Sequence, residues 1–257
     1  MSAGFQIAGS LVNSAPIVRR LMTGETMYQG QLVMGGQTGG LGGHVQVFDV
    51  PAQTYEDNFP LLGIVNGVVD DSRAYNSTYK GDSTTYTTTQ ATVKADGASE
   101  VLVSLIIPYN TLIKGPIYNA TFGTALTLLT NTTASSGGVL VTHAGETLAV
   151  IPDDYGTVYC RSGANRGLYR VVTTGATGSQ TVTVPFPNAI AVDDTFVAAS
   201  VVLGVAHIDF PATVNCIDGN NAMTSYLSVY CHELNLEEAG KEYAVFSLTN
   251  IPHLHPA

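Results

Sequence analysis

Short runs in which apolar and polar residues alternate recur along this chain, each bounded by Gly, Pro, Asn or Asp. A period of two is the signature of a half-buried strand, because successive side chains point to opposite faces. The pattern predicts strands at 32–34, 45–48, 63–69, 83–94, 100–107, 125–129, 138–142, 157–161, 169–173, 180–184, 195–203, 226–232 and 243–248. A helical signal surfaces once, at 234–241. There Asn235 is placed to cap a first turn carrying Glu237 and Glu238, and Gly240 to end it. Many short strands separated by turn residues predict an all-β fold. Its expected architecture is an antiparallel β-sandwich or barrel, in two β subdomains with very little helix.

Two stretches depart from this pattern. Residues 35–43 are nearly all glycine and small polar residues, which reads as a flexible linker. Before it, Phe5, Ile7, Leu11, Val12, Ile17, Val18 and Leu21 are apolar anchors with too few turns between them for a compact unit. They predict an arm that packs on the body or on a neighbouring molecule. The division expected is therefore an arm and linker over 1–43, a β domain over 44–125, and a sandwich or barrel domain over 126–257. The second stretch, 84–93, is strongly strand-forming and almost wholly polar. Such a strand is either without an ordinary core face, and then an aggregation hazard unless another subunit covers it, or a polar outer strand with one modest face inward. Tyr75, Tyr79 and Tyr86 fall beside it as amphipathic anchors suited to an interface or a glycan.

Charge changes the picture next. Only 12% of the residues are charged, roughly half the usual share, and the surface must instead be covered by Thr, Ser, Asn and Gly. Interface cores are depleted in charge, so this composition favours a permanent assembly. The net charge is −10 and basic residues never cluster beyond Arg19-Arg20, which argues against binding nucleic acid. No run is long and apolar enough to span a membrane. Residues 1–10 lack the features of a secretory leader, so synthesis in a reducing cytosol is expected. The odd count of cysteines (Cys160, Cys216 and Cys231) fits free thiols there.

Candidate chemistry is thin. Gly-x-Ser-x-Gly is absent, and Asp70-Asp71, Asp153-Asp154 and Asp193-Asp194 all fall where turns are expected, a common place for Asp. Cys216 and Cys231-His232 do not complete a zinc set. His253 and His255 would face one side of an extended segment and could gather a metal on a symmetry axis, although a solvated tail is the simpler reading. The expectation is a protein with no catalytic residues, no metal and no cofactor. A secreted β-sandwich hydrolase is the rival from another class, and it would require an acid/base pair in a cleft.

Several segments resemble virion structural proteins of tailed bacteriophages: Tyr28-Gln29-Gly30-Gln31-Leu32-Val33, Leu61-Leu62-Gly63-Ile64-Val65, Ser162-Gly163-Ala164-Asn165-Arg166-Gly167-Leu168-Tyr169-Arg170 and Pro185-Phe186-Pro187-Asn188-Ala189-Ile190-Ala191-Val192-Asp193-Asp194-Thr195-Phe196. The chain is most similar to capsid decoration (cement) proteins, which share this β-rich, Gly- and Thr-heavy, Lys-poor style. The resemblance implies a homo-oligomer, commonly a trimer, that binds the outside of a preformed shell and bridges subunits of the major capsid protein. It carries over no site residue. Tail-tube proteins and receptor- or glycan-binding fibre proteins are the alternatives within the same class.

Overall fold

The computed structural model of the chain describes residues 5–10, 15–21, 30–35, 44–47, 61–68, 100–117, 126, 128–143, 156–176, 178–199, 201–208 and 227–249. Over these residues the fold is all-β. The strands are β1 (Gln6–Ser10), β2 (Ile17–Leu21), β3 (Leu32–Gly35), β4 (His44–Val47), β5 (Leu61–Val68), β6 (Glu100–Leu105), β7 (Thr111–Pro116) and β8 (Leu128–Thr130). They continue with β9 (Leu140–Thr142), β10 (Thr157–Cys160), β11 (Tyr169–Ala176), β12 (Ser179–Val182), β13 (Thr195–Ala199), β14 (Gly204–Ile208), β15 (Leu227–Asn235) and β16 (Tyr243–Leu248).

Three sheets result. β2-β4-β3-β5-β6 closes into a small barrel, with β2 and β4 paired in parallel. Its interior is a valine core of Val33, Val45, Val65, Val101 and Val103, with Ile17 packed against it. β1-β7-β16-β15-β14 forms a five-stranded sheet. The third sheet runs β8-β13-β10-β11-β12-β9, and an antiparallel bridge between Asn131 and His143 joins its first strand to its last. Its inner face holds Leu129, Val141, Val158, Cys160, Val172, Val182, Phe196 and Ala198.

β10 and β13 explain how the pieces adhere. Val158 and Cys160 point into the six-stranded sheet's own core, while Tyr159, Val197 and Ala199 point the other way. There they meet Ala244, Phe246 and Leu248 of β16 and, in the same cluster, Leu32 and Ile64 from the outside of the small barrel. Strands buried on both faces carry continuous apolar runs, as Thr195–Ala199 does.

Four expectations are corrected here. The start of the chain is part of the body: β1 pairs with β7, and Phe5 is 1% exposed and packs edge-on against Phe246. The Phe5 N–H donates to Gly30 O at 2.9 Å, tying β1 to the entrance of the small barrel. Ile7 packs on the same core, and β2, with Ile17 inward and Val18 exposed, is a barrel stave. A boundary at 125 also fails as a division, because β7 and β16 from either side of it are hydrogen-bonded neighbours. The helix at 234–241 is instead the turn of the β15–β16 hairpin, with Gly240 at φ +77°. Asn235 Oδ1 does accept the Glu237 N–H, at 3.3 Å, but one Asx turn satisfies it and the chain returns as a strand. Finally, the apolar run at 195–203 is not one strand: β13 ends at Ala199 in one sheet, and β14 begins in another at Gly204, whose φ is +94°.

Leu11, Val12, Tyr75, Tyr79 and Tyr86, the polar strand 84–93, Asp70-Asp71, Asp153-Asp154, Cys216, His253 and His255 lie outside the described residues. Of Leu21 only its place in β2 is described.

Candidate interaction surface

Two of the segments that carry the phage resemblance meet at one end of the six-stranded sheet. Asn165, fully buried, accepts the Asn188 N–H on Oδ1 at 3.1 Å and donates from Nδ2 to Asn188 O at 3.0 Å. Asn188 returns a bond from Nδ2 to Ala164 O at 3.1 Å. Ser162 Oγ accepts both the Thr195 N–H and the Thr195 hydroxyl, at 2.8 and 2.9 Å. Asp194 Oδ2 accepts the Ala191 N–H at 2.8 Å, so this carboxylate closes a turn, as its position in sequence predicts. The Arg170 guanidinium lies 5.0 Å over the Phe186 ring and donates to Pro185 O at 3.1 Å.

Gly163 makes that turn possible. Its φ is +76°, and a Cβ there would sit 2.0 Å from Asp194 Oδ1. Gly163→Ala is therefore expected to destabilise the fold by at least about 1 kcal/mol, through left-handed strain and a clash that breaks the Asp194 turn. A denaturant titration reads this directly; an unchanged midpoint would show that the loop can move aside.

Asn131 fastens the seam. Its side chain is buried, with Nδ2 donating to Thr133 O at 2.8 Å and Ala191 O at 2.7 Å, and Oδ1 accepting the Thr142 N–H at 3.0 Å. One amide thus joins β8, β9 and the turn before β13.

A second polar group joins the six-stranded sheet to the five-stranded sheet. Arg161 donates from Nε to Leu236 O at 2.8 Å and from a terminal nitrogen to Glu242 Oε1 at 2.7 Å. The two side chains are only 10% and 4% exposed. Tyr169 packs against Tyr159 with the rings tilted at 46° and 4.6 Å between centroids, and donates its hydroxyl to Leu234 O at 2.8 Å. This is a latch between two sheets, and its charges are spent on each other.

One His–Ser contact has the form of a base and nucleophile: His232 Nε2 lies 2.9 Å from Ser247 Oγ. The surroundings do not extend it. Ser247 is buried on β16, a central strand whose backbone pairs with β15 and β7 on either side, leaving little free backbone N–H for an oxyanion. The adjacent Glu233 accepts the Tyr243 hydroxyl at 2.8 Å, and Tyr243 in turn lies under the Lys114 ammonium at 3.6 Å. Among the described residues no three of His, Cys, Asp and Glu gather as metal ligands.

Cys160 and Cys231 are free and buried in different cores. Burial pushes their thiols up from 9.0, to about 11 and about 12, with the nearby Asp194 and Glu233 carboxylates acting in the same direction. The fold holds the protonated thiols, so their contribution to stability is complete below the unfolded value and is lost as pH rises through the folded ones. Iodoacetamide at mildly alkaline pH is expected to leave both unlabelled until denaturant is added, as read by peptide mass mapping. Labelling in the native state would place a thiol at the surface.

The outward side chains of the six-stranded sheet differ in kind from all of these. Where the five-stranded sheet does not cover it, the wall is built from β11, β12, β9 and β8. Alternation against the inward set turns Thr130, Thr142, Val171, Thr173, Thr181 and Thr183 outward, and the irregularity between Val172 and Thr174 leaves Thr174 exposed as well. Thr173 donates to Thr183 Oγ1 at 3.0 Å and Thr132 to Thr142 Oγ1 at 3.3 Å. Val184 at its end is 58% exposed. The chain has no Asp, Glu, Lys or Arg at 115–145 or at 171–192, and these stretches supply β8, β9, β12 and all of β11 beyond Arg170. The low charge and the threonines are plain in the sequence, but the run 84–93 draws attention away from this wall. Its own signal is the two charge-free stretches.

No protein-family model, curated protein or solved structure matches the chain.

Proposed function

We propose that the chain is a structural virion protein of a tailed phage. It binds the outside of the preformed capsid as a homo-oligomer, a trimer by the family resemblance, and stabilises the shell by bridging subunits of the major capsid protein. It is made in the host cytoplasm, uses no cofactor and turns over no substrate. The observation that carries this reading is the uncharged Thr/Val wall on an otherwise acidic molecule: side chains of this kind suit a lasting protein contact, since interface cores are depleted in charge. The buried polar clusters agree with it. Asn131, Asn165, Asp194 and Arg161 are each satisfied by groups of the chain itself, which rigidifies a scaffold and leaves these residues unavailable to a substrate.

The test uses shells of the major capsid protein that lack this chain. Added purified protein is expected to cosediment with them and to raise their disruption temperature. Shells that sediment bare, with unaltered stability, would reject the proposal.

A further inference from the structure

The threonine wall points to a specific partner, and we infer that it is the contact between copies of this chain. The inference rests on the homo-oligomeric reading above and assigns it a surface. The first and last strands of the six-stranded sheet approach each other at the single Asn131–His143 bridge, which limits the edge left for strand addition. The wall offers a partner its side chains. Those side chains are neutral: Thr130, Thr142, Val171, Thr173, Thr181 and Thr183, flanked by Val184.

Charge then distinguishes the possible occupants. Each copy carries a net −10. A basic partner would be recognised best through carboxylates; of the described ones, Glu233, Glu237 and Glu238 are exposed on the β15–β16 hairpin, and Asp193 lies at the β8 end of the wall, its N–H donating to Asn131 O. A second acidic copy has the opposite need. Symmetric contact puts each residue near its own counterpart's surroundings, so any carboxylate in the patch would face like charge. A face without charged residues is where two such molecules can close. Its hydroxyls are already partly paired within the wall, Thr173 with Thr183 and Thr132 with Thr142, which lowers the cost of excluding water.

The experiment is sedimentation velocity on the full chain and on three single variants, Thr173→Lys, Thr183→Lys and Val184→Lys. All three side chains are exposed, so far-UV circular dichroism and the denaturant midpoint are expected to match wild type. Wild type is expected to sediment as an oligomer at both low and high salt. The variants place like charges across the contact and are expected to weaken association at least about tenfold, shifting the mass toward the 26.9 kDa of one chain. Glu238→Lys, on the hairpin, is the control and should keep the wild-type mass. A monomeric wild type, or folded lysine variants that retain the oligomer mass, overturns the inference. Should one variant fail to fold, the other two decide. An oligomer that the lysine variants disrupt but that never coats capsid shells supports the inference and removes the capsid reading alone.

Discussion

Phe5→Ala is expected to lower the stability of the protein by about 3–5 kcal/mol, the range for deleting a buried aromatic side chain, because the ring is enclosed and its removal leaves a cavity. It is 1% exposed and lies 5.9 Å from Phe246, edge to face, in the cluster that draws on all three sheets. Deleting residues 2–31 goes further. It removes β1 from the edge of the five-stranded sheet and β2 from the closed barrel, exposing the strands β4 and β6 that flank it. The truncated chain is expected to lose its cooperative melting transition. A truncated protein that melts like wild type would instead restore the view of this segment as a detachable arm.

Arg161→Met is the second large effect, at about 3–5 kcal/mol, since it strands the Glu242 carboxylate in a nearly dry site. The Leu236 carbonyl also loses its partner. The double variant Arg161→Met with Glu242→Leu is expected to recover much of the loss, because two apolar side chains of similar size avoid the desolvation of both charges. Denaturant titrations of the four proteins form a double-mutant cycle. If the double variant is as unstable as the sum of the single ones, the latch is not acting as a coupled pair. That would point to Arg161 working through its bond to the Leu236 carbonyl.

Much of the fold is legible in alternation alone, and the places where alternation fails have definite causes. β16 is readable because its apolar run is flanked by clear turn residues. β7 is not, since Thr111-Leu112-Ile113-Lys114-Gly115-Pro116 ends in two breakers and turns Thr111 and Gly115 inward beside Ile113. Short-range pattern also misassigns Asn235, because the same side-chain oxygen that caps a helix closes an Asx turn in a hairpin. The apolar run at 195–203 looks like one strand because the residues between β13 and β14 are themselves mostly apolar, and the change of sheet is marked only by Gly204 at φ +94° where β14 begins. The start of the chain resembles an arm for a related reason: its partners, β7, β4 and β6, are distant in sequence, and alternation does not report who pairs with whom.

The surface is legible in kind but not in place. Low charge and abundant threonine are properties of composition, whereas the wall is a property of closure. It becomes visible only when β8, β9, β11 and β12 are known to curve around one core with Val141, Val172 and Val182 inside. The Asn165–Asn188 clasp is hidden in the same way, its two halves lying 23 residues apart in the chain.

The central claim is that this chain coats a capsid in many copies. Quantitative mass spectrometry of virions purified from a culture that produces it tests that most directly. The account predicts the chain in the particles at a fixed, near-stoichiometric ratio to the major capsid protein, and its release from intact shells under milder denaturation than the shell itself needs. Its absence from the particles, or its presence in only a few copies that travel with isolated tails, would contradict the account.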